Sequence, residues 1–257
     1  MTIKKKLEAV SGVKSVSPPE ISSKDKTYSK YSIILDQNPY SNQAMDLIPK
    51  IEKSVANPDN KVYLAGQTAE QYDSRAVSQV DEKTVIPLVI GLISILLFVY
   101  LRSIVATVYL VLSVLLSYAA SLGLGWLILH HFFGVEAISG LIPLYAFVFI
   151  VALGEDYNIF MISSIWKNAR KNSVRAAVQE GVHQTGGVIT SAGVILAATF
   201  LVLTTLPIEL LVQFGLITAL GILIDTFFIR PLLVPAVTVL FGKWSFWPGM
   251  KKRRDLF

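Results

Sequence analysis

The sequence predicts an α-helical membrane bundle of five transmembrane helices, preceded by a partial α+β, ferredoxin-like domain on the outer side of the membrane. Three observations carry that prediction. The chain of 257 residues is 53% apolar and only 16% charged, whereas a soluble domain carries about 25% charged residues; its mean hydropathy is +0.56. Charge is unevenly spread: residues 1–82 hold eleven basic and eleven acidic side chains, residues 83–257 twelve and seven. Five apolar stretches then follow, at 84–101, 104–129, 138–165, 186–206 and 214–241, each close to or above the roughly 20 residues that cross the hydrocarbon core as a helix. The expected organisation is an α+β domain over 1–82, a five-helix membrane domain over 83–242 and a basic tail over 243–257.

The opening MTIKKKLEAV lacks the apolar core of a signal peptide. Within 1–82, a short helix is expected over 3–10, a strand at Val13–Val16 after Gly12, and a second strand over 28–35 from the alternation of Tyr31, Ile33 and Leu35. Ser41 is placed to cap a helix over 42–55, with Ala44, Leu47, Ile48 and Ile51 at helical spacing, although Pro49 removes a hydrogen bond there. Residues 62–65 read as a third strand ended by Gly66, and 67–83 as a polar helix running into the first span. That order suits a ferredoxin-like unit without its opening strand.

Orientation follows from the short loops. Arg102 lies between spans one and two, and Lys167, Arg170, Lys171 and Arg175 between three and four. Lys243, Lys251, Lys252, Arg253 and Arg254 follow span five, while 130–137 and 207–213 hold no Lys or Arg. The basic side is cytoplasmic by the positive-inside rule, so the C-terminus is expected inside and residues 1–82 outside. An outer domain without its own export signal is the expected back part of a longer protein. The pI near 9.3 comes from these clusters rather than from a nucleic-acid surface, so no nucleic acid is expected as a partner. With no cysteine and three histidines, no metal site is expected.

Ionisable groups deep in a membrane are costly and tend to face a bundle interior or an aqueous path. Span three is interrupted by Gly154-Glu155-Asp156-Tyr157-Asn158. Lys167 lies about ten residues on, roughly 15 Å along a helix, which makes Asp156 deep rather than interfacial. A carboxylate there suits a reversible proton carrier, and Tyr157 adds a donor and acceptor about 100° around the helix. Glu155 is a possible second titrating site, or it snorkels toward a cavity. Asn158, Ser163 and Ser164 read as helix–helix glue. Asp225 in span five is expected to brace another helix rather than carry protons, and stands as a possible secondary proton site. Arg230, five residues on and roughly 140° away, would not share its face, and sits near the cytoplasmic interface. Gly123, Gly125, Gly186, Gly187 and Gly193 suit close helix approach. Residues 168–184 read as an amphipathic helix on the cytoplasmic face, with His183 solvated at its end. There is no GxxxxGK[ST] or GxGxxG, which disfavours ATP-driven chemistry. The Gly-x-Gly-Asp of an intramembrane aspartyl protease fails at Leu153 and Glu155.

Together, Gly154-Glu155-Asp156-Tyr157-Asn158-Ile159-Phe160, Thr185-Gly186-Gly187-Val188-Ile189-Thr190-Ser191-Ala192-Gly193, Asp225-Thr226, Arg230-Pro231, Val234-Pro235 and the closing Trp244…Trp247-Pro248 resemble the C-terminal half of the MMPL transporters of the resistance–nodulation–division superfamily. Residues 62–69 with Asp73 look like the family's porter domain. The resemblance implies a cell-membrane pump driven by the proton gradient, without a cofactor, exporting lipids, glycolipids, siderophore-like or other hydrophobic compounds. It implies that Asp156 and Tyr157 match an Asp-Tyr pair that relays protons with an equivalent pair in a first repeat, absent here. Glu155 departs from the apolar residue more common before that Asp. The expected partners are membrane lipids, a hydrophobic substrate, and the missing N-terminal repeat in another chain or in a full-length protein, or else a second copy about a two-fold axis. On this reading the chain cannot pump as a monomer. The alternative is a lipid- or sterol-sensing or scaffold protein on the same architecture that transports nothing; a third is a truncated piece.

Overall fold

A computed structural model describes residues 3–21, 28–57 and 61–248. They group into two compact units, Met1–Gln79 with Val135–Gly140, and Val80–Gly134 with Leu141–Phe257.

In the first unit, α1 (Ile3–Glu8) leads into β1 (Val13–Val16), β2 (Glu20–Ile21), β3 (Ser29–Lys30), β4 (Ile33–Leu35), α2 (Asn42–Met45) and α3 (Ile48–Val55). β1 pairs antiparallel with β4, Val13 opposite Leu35 and Val16 opposite Ile33, with an irregularity between Val13 and Ser15. β2 and β3 form a separate two-stranded ladder. Strand β1 falls where the alternation places it. The strand expected over 28–35 is broken into β3 and β4, each with a different partner. The expected Ser41 cap is present, its Oγ accepting from the Ala44 N–H at 3.2 Å. The helix expected over 42–55 divides in two because Pro49, which has no N–H to give, lies in the first turn of α3, where none is needed. Residues 62–65 form no strand. Val62 and Leu64 do pack on the core of Leu7, Val16, Leu47, Ile51 and Val55; alternation directs side chains inward, but a strand also needs a ladder, and none reaches this segment among the described residues.

Among the described residues, five helices are long and apolar enough to cross a membrane. α4 (Gln67–Leu101) continues the polar stretch into the first span without a break, α5 is Ile104–Phe133, α6 Leu141–Ala169 and α7 Val174–Val202. The last span is composite: α8 (Glu209–Ile224), a π-helical segment (Asp225–Leu233) and α9 (Val234–Phe241). α6 runs as one helix through 154–158, as the 100° spacing of Asp156 and Tyr157 assumes. One sequence expectation is corrected. Residues 174–184 are not a separate surface helix but the first three turns of α7, so His183 is exposed mid-helix rather than at an end.

The bundle core consists of apolar clusters separated along α6 by polar residues. One cluster includes Tyr109, Leu110, Met161, Ile162, Ile165, Ile189, Ile229 and Val234, another Val114, Phe147 and Val151. Ser103 caps α5 by accepting from the Ala106 N–H at 3.2 Å, and its hydroxyl donates to the carbonyls of Ser245 at 2.8 Å and Trp247 at 3.0 Å. This ties the end of the last span to the turn between α4 and α5. Close helix approach occurs at Gly125, against Ile217, and at Gly193, against Thr226. Gly123, Gly186 and Gly187 have nothing within 4 Å of an added Cβ among the described residues, so they make no close helix approach there.

Candidate functional site

Midway along α6, between the two apolar clusters, the bundle holds a layer of ionisable and polar side chains. Asp156 is about 15 residues from Leu141, so both helix ends are roughly 20 Å away at 1.5 Å per residue. Successive residues here point to different sides. Gly154, Glu155 and Asn158 are buried, Glu155 with 6% of its surface exposed; Tyr157 is half-buried; Asp156 is exposed on the outer face.

The opposite wall of the layer is the π segment. Asp225 and Arg230, each 3% exposed, form an ion pair with each other, contrary to the expectation that they could not. That expectation assumed 100° per residue. In a π-helix the hydrogen bonds run between i and i+5, as when the Val234 N–H donates to the Ile229 carbonyl, and residue i comes to lie over residue i+5. Pro231, which cannot donate, sits inside the widened segment. Arg230 is accordingly central rather than interfacial. Its Nη2 also donates to the Gly154 carbonyl at 3.2 Å, and its guanidinium carbon lies 4.4 Å from the centre of the Tyr157 ring, a cation–π distance. The close approach of α7 depends on Gly193: a Cβ there would collide with Thr226, next to Asp225.

The layer is incompletely satisfied. Both carboxylate oxygens of Glu155, both amide atoms of Asn158, Asp225 Oδ1, and Arg230 Nε and Nη1 have no hydrogen-bond partner among the described residues. A cavity with room for about one water lies beside Asp225 and Arg230, lined also by Gly154, Tyr157 and Thr226. Of the residues singled out in the sequence, the structure thus gathers Tyr157 and Asp225 around Arg230, buries Glu155 at the same level and leaves the Asp156 carboxylate facing outward. Sequence reasoning missed Arg230 as the hub. The proline immediately after it was the available signal, because a proline within a span displaces backbone hydrogen bonds that a bulge can absorb.

Comparison with known proteins agrees with this architecture. The family model described as MMPL family matches residues 2–257. The apo-petrobactin exporter of Bacillus anthracis is 51% identical over 264 aligned positions, covering 99% of this chain and 36% of that protein. The putative membrane protein ActII-3 of Streptomyces coelicolor is 36% identical over 97% of this chain and 35% of its own length. The sulfolipid-1 exporter MmpL8 of Mycobacterium tuberculosis is 37% identical over 85% of this chain and 20% of its own length. The chain therefore spans about a third or less of the relatives it matches. A family match from one end of the sequence to the other, together with five membrane-length helices around a mid-helix acid, makes this chain a member of the MMPL family of membrane transporters.

Proposed function

We propose that this chain is the C-terminal half of an exporter driven by the proton gradient, and that Asp156 and Tyr157 carry its protons on the face that meets an N-terminal repeat. The observation that carries the reading is the position of Asp156: a carboxylate at the midpoint of a membrane-length helix, exposed on the outside of the bundle, while the neighbouring acids turn inward. A charge at that depth needs a partner or an aqueous path, and the matching face of a second repeat would supply one. The relatives are named as exporters of apo-petrobactin and sulfolipid-1, which supports a hydrophobic or lipid-like cargo for this chain. In this reading the α+β unit is a ferredoxin-like porter domain outside the cell membrane. The loops carrying Arg102, Lys167, Arg170 and Lys171 then face the cytoplasm.

The test is export into vesicles in which this chain is reconstituted with its N-terminal repeat under an imposed pH gradient. Asp156→Asn is expected to lower export by about 100-fold or more, the size of effect expected when a proton-transfer group is removed. Full activity in that variant refutes the relay. Lipid binding without gradient-driven export, in the unsubstituted protein, favours a sensing or scaffold role instead.

A further inference from the structure

Glu155 is a buried titratable group that the Asp156–Tyr157 reading does not use. It follows Gly154, whose carbonyl accepts from Arg230; the Asn158 side chain lies beside it, but neither of its oxygens meets hydrogen-bond geometry with a described residue. Asp225 Oδ2 lies 3.8 Å from where a Cβ would stand on the adjoining Gly154, so the Asp225–Arg230 pair meets α6 one residue before Glu155, and Asp156 follows it. Arg230 already holds Asp225 Oδ2, and its Nε and Nη1 remain unengaged. With Glu155, Asp225 and Arg230 all ionised, the inner layer would carry one uncompensated negative charge between apolar clusters, and an isolated charge in such a medium is strongly disfavoured. One proton removes the imbalance, and the single cation can pair with whichever carboxylate lacks it.

We propose that Glu155 and Asp225 share one proton around Arg230, which makes Glu155 the inner proton site behind Asp156. This deepens the relay reading and rests on it only for the route by which the proton arrives. In one state Glu155 is neutral and Asp225 is paired with Arg230; in the other Asp225 is neutral and Glu155 is paired. The proton passes from one carboxyl oxygen to the other, leaving the donor ionised and the acceptor neutral, and no other bond changes; the small cavity beside Asp225 and Arg230 gives the side chains room to exchange partners. Two carboxylates coupled to one cation titrate as a unit rather than as separate residues.

Infrared difference spectroscopy of protein containing this chain, in phosphatidylcholine vesicles at neutral pH, detects buried protonated carboxyls by the deuterium shift of their C=O stretch. We expect one carboxyl's intensity from this layer, lost in Glu155→Gln, where Asp225 ionises against Arg230, and lost equally in Asp225→Asn, where Glu155 does so. The same intensity survives in Asp156→Asn. No protonated carboxyl in the unsubstituted protein overturns the proposal without recourse to any variant, and a band that survives in either Glu155→Gln or Asp225→Asn also overturns it. The spectrum does not depend on transport. Loss of export in Asp156→Asn with a band that survives Glu155→Gln refutes the shared proton and leaves the relay intact. The expected band pattern with full export in Asp156→Asn does the opposite.

Discussion

The inward and outward faces of α6 meet the same electrostatic difficulty in different ways. Inward, Glu155 and Asn158 are buried at the level of an ion pair supplied by the last span, whose guanidinium also meets a carbonyl and an aromatic ring of α6 within one chain. Outward, Tyr145, Phe149, Ala152, Asp156 and Phe160 form an exposed stripe, apolar except for a tyrosine hydroxyl and the acid. The inner charges are therefore part of what holds this bundle together, whereas the outer one contributes little to it. The comparison teaches that burial within a chain marks residues whose loss is felt in stability. An exposed acid at membrane depth marks a residue whose value lies in a partner beyond the described helices.

The largest effect on stability is expected at Arg230. Arg230→Met leaves Asp225 and Glu155 buried without a cation, and removing one partner of a buried pair costs about 3–5 kcal/mol. Unfolding of the purified protein in detergent measures it. A loss below about 1 kcal/mol would mean that the inner layer is not the electrostatic brace described here, because that is the range of exposed pairs.

A smaller loss is expected at the helix contact that supports the same face. Gly193→Leu forces a side chain into Thr226, and overpacking of this kind costs about 1–3 kcal/mol. The same substitution at Gly187, which has open space around it, serves as the control and is expected to stay within about 0.5 kcal/mol. Equal losses at the two positions would remove Gly193 from any special role in seating the π segment.

Much of this arrangement was legible before any coordinates. Hydropathy located the membrane-length helices, and the Ser41 cap and the β1 strand followed from local chemistry. The phase of α6 was not legible, because a span that is apolar nearly all round gives no periodic signal for which of two adjacent acids, Glu155 or Asp156, turns inward. The Asp225–Arg230 pair was hidden for a different reason. A turn of 100° per residue is an assumption about the backbone, and the π segment breaks it at a place where only Pro231 gave notice. Residues 62–65 show the limit of alternation: Val62 and Leu64 reach the core, but strand formation depended on a pairing partner that alternation cannot specify.

On the outward face the expected order of effects reverses. Asp156→Asn, so damaging to export in the proposal above, is expected to change unfolding stability by no more than about 0.5 kcal/mol in this chain, as for exposed substitutions generally. A loss comparable to that of Arg230→Met would show that Asp156 belongs to the inner layer after all, and the contrast between the faces would fail.

The smallest single change is the loss of the Tyr157 hydroxyl, at a residue that stands between the two faces and separates them most finely. Its ring lies under the Arg230 guanidinium, while its hydroxyl has no hydrogen bond to a described residue in the structure. Tyr157→Phe keeps the ring and the cation–π contact and removes only the hydroxyl, so stability should move by less than about 0.5 kcal/mol. Tyr157→Leu removes the ring as well and should cost a further amount of about 0.5–2 kcal/mol, the worth of a cation–π contact from exposed to desolvated surroundings. If the hydroxyl passes protons to Asp156, the phenylalanine variant should lose gradient-driven export while unfolding like the unsubstituted protein. If instead Tyr157 serves only to seat Arg230, phenylalanine should support full export and leucine should impair both stability and export together. Measuring both quantities on both variants assigns Tyr157 to one face or the other, because a structural role predicts that export follows the ring and a relay role predicts that it follows the hydroxyl.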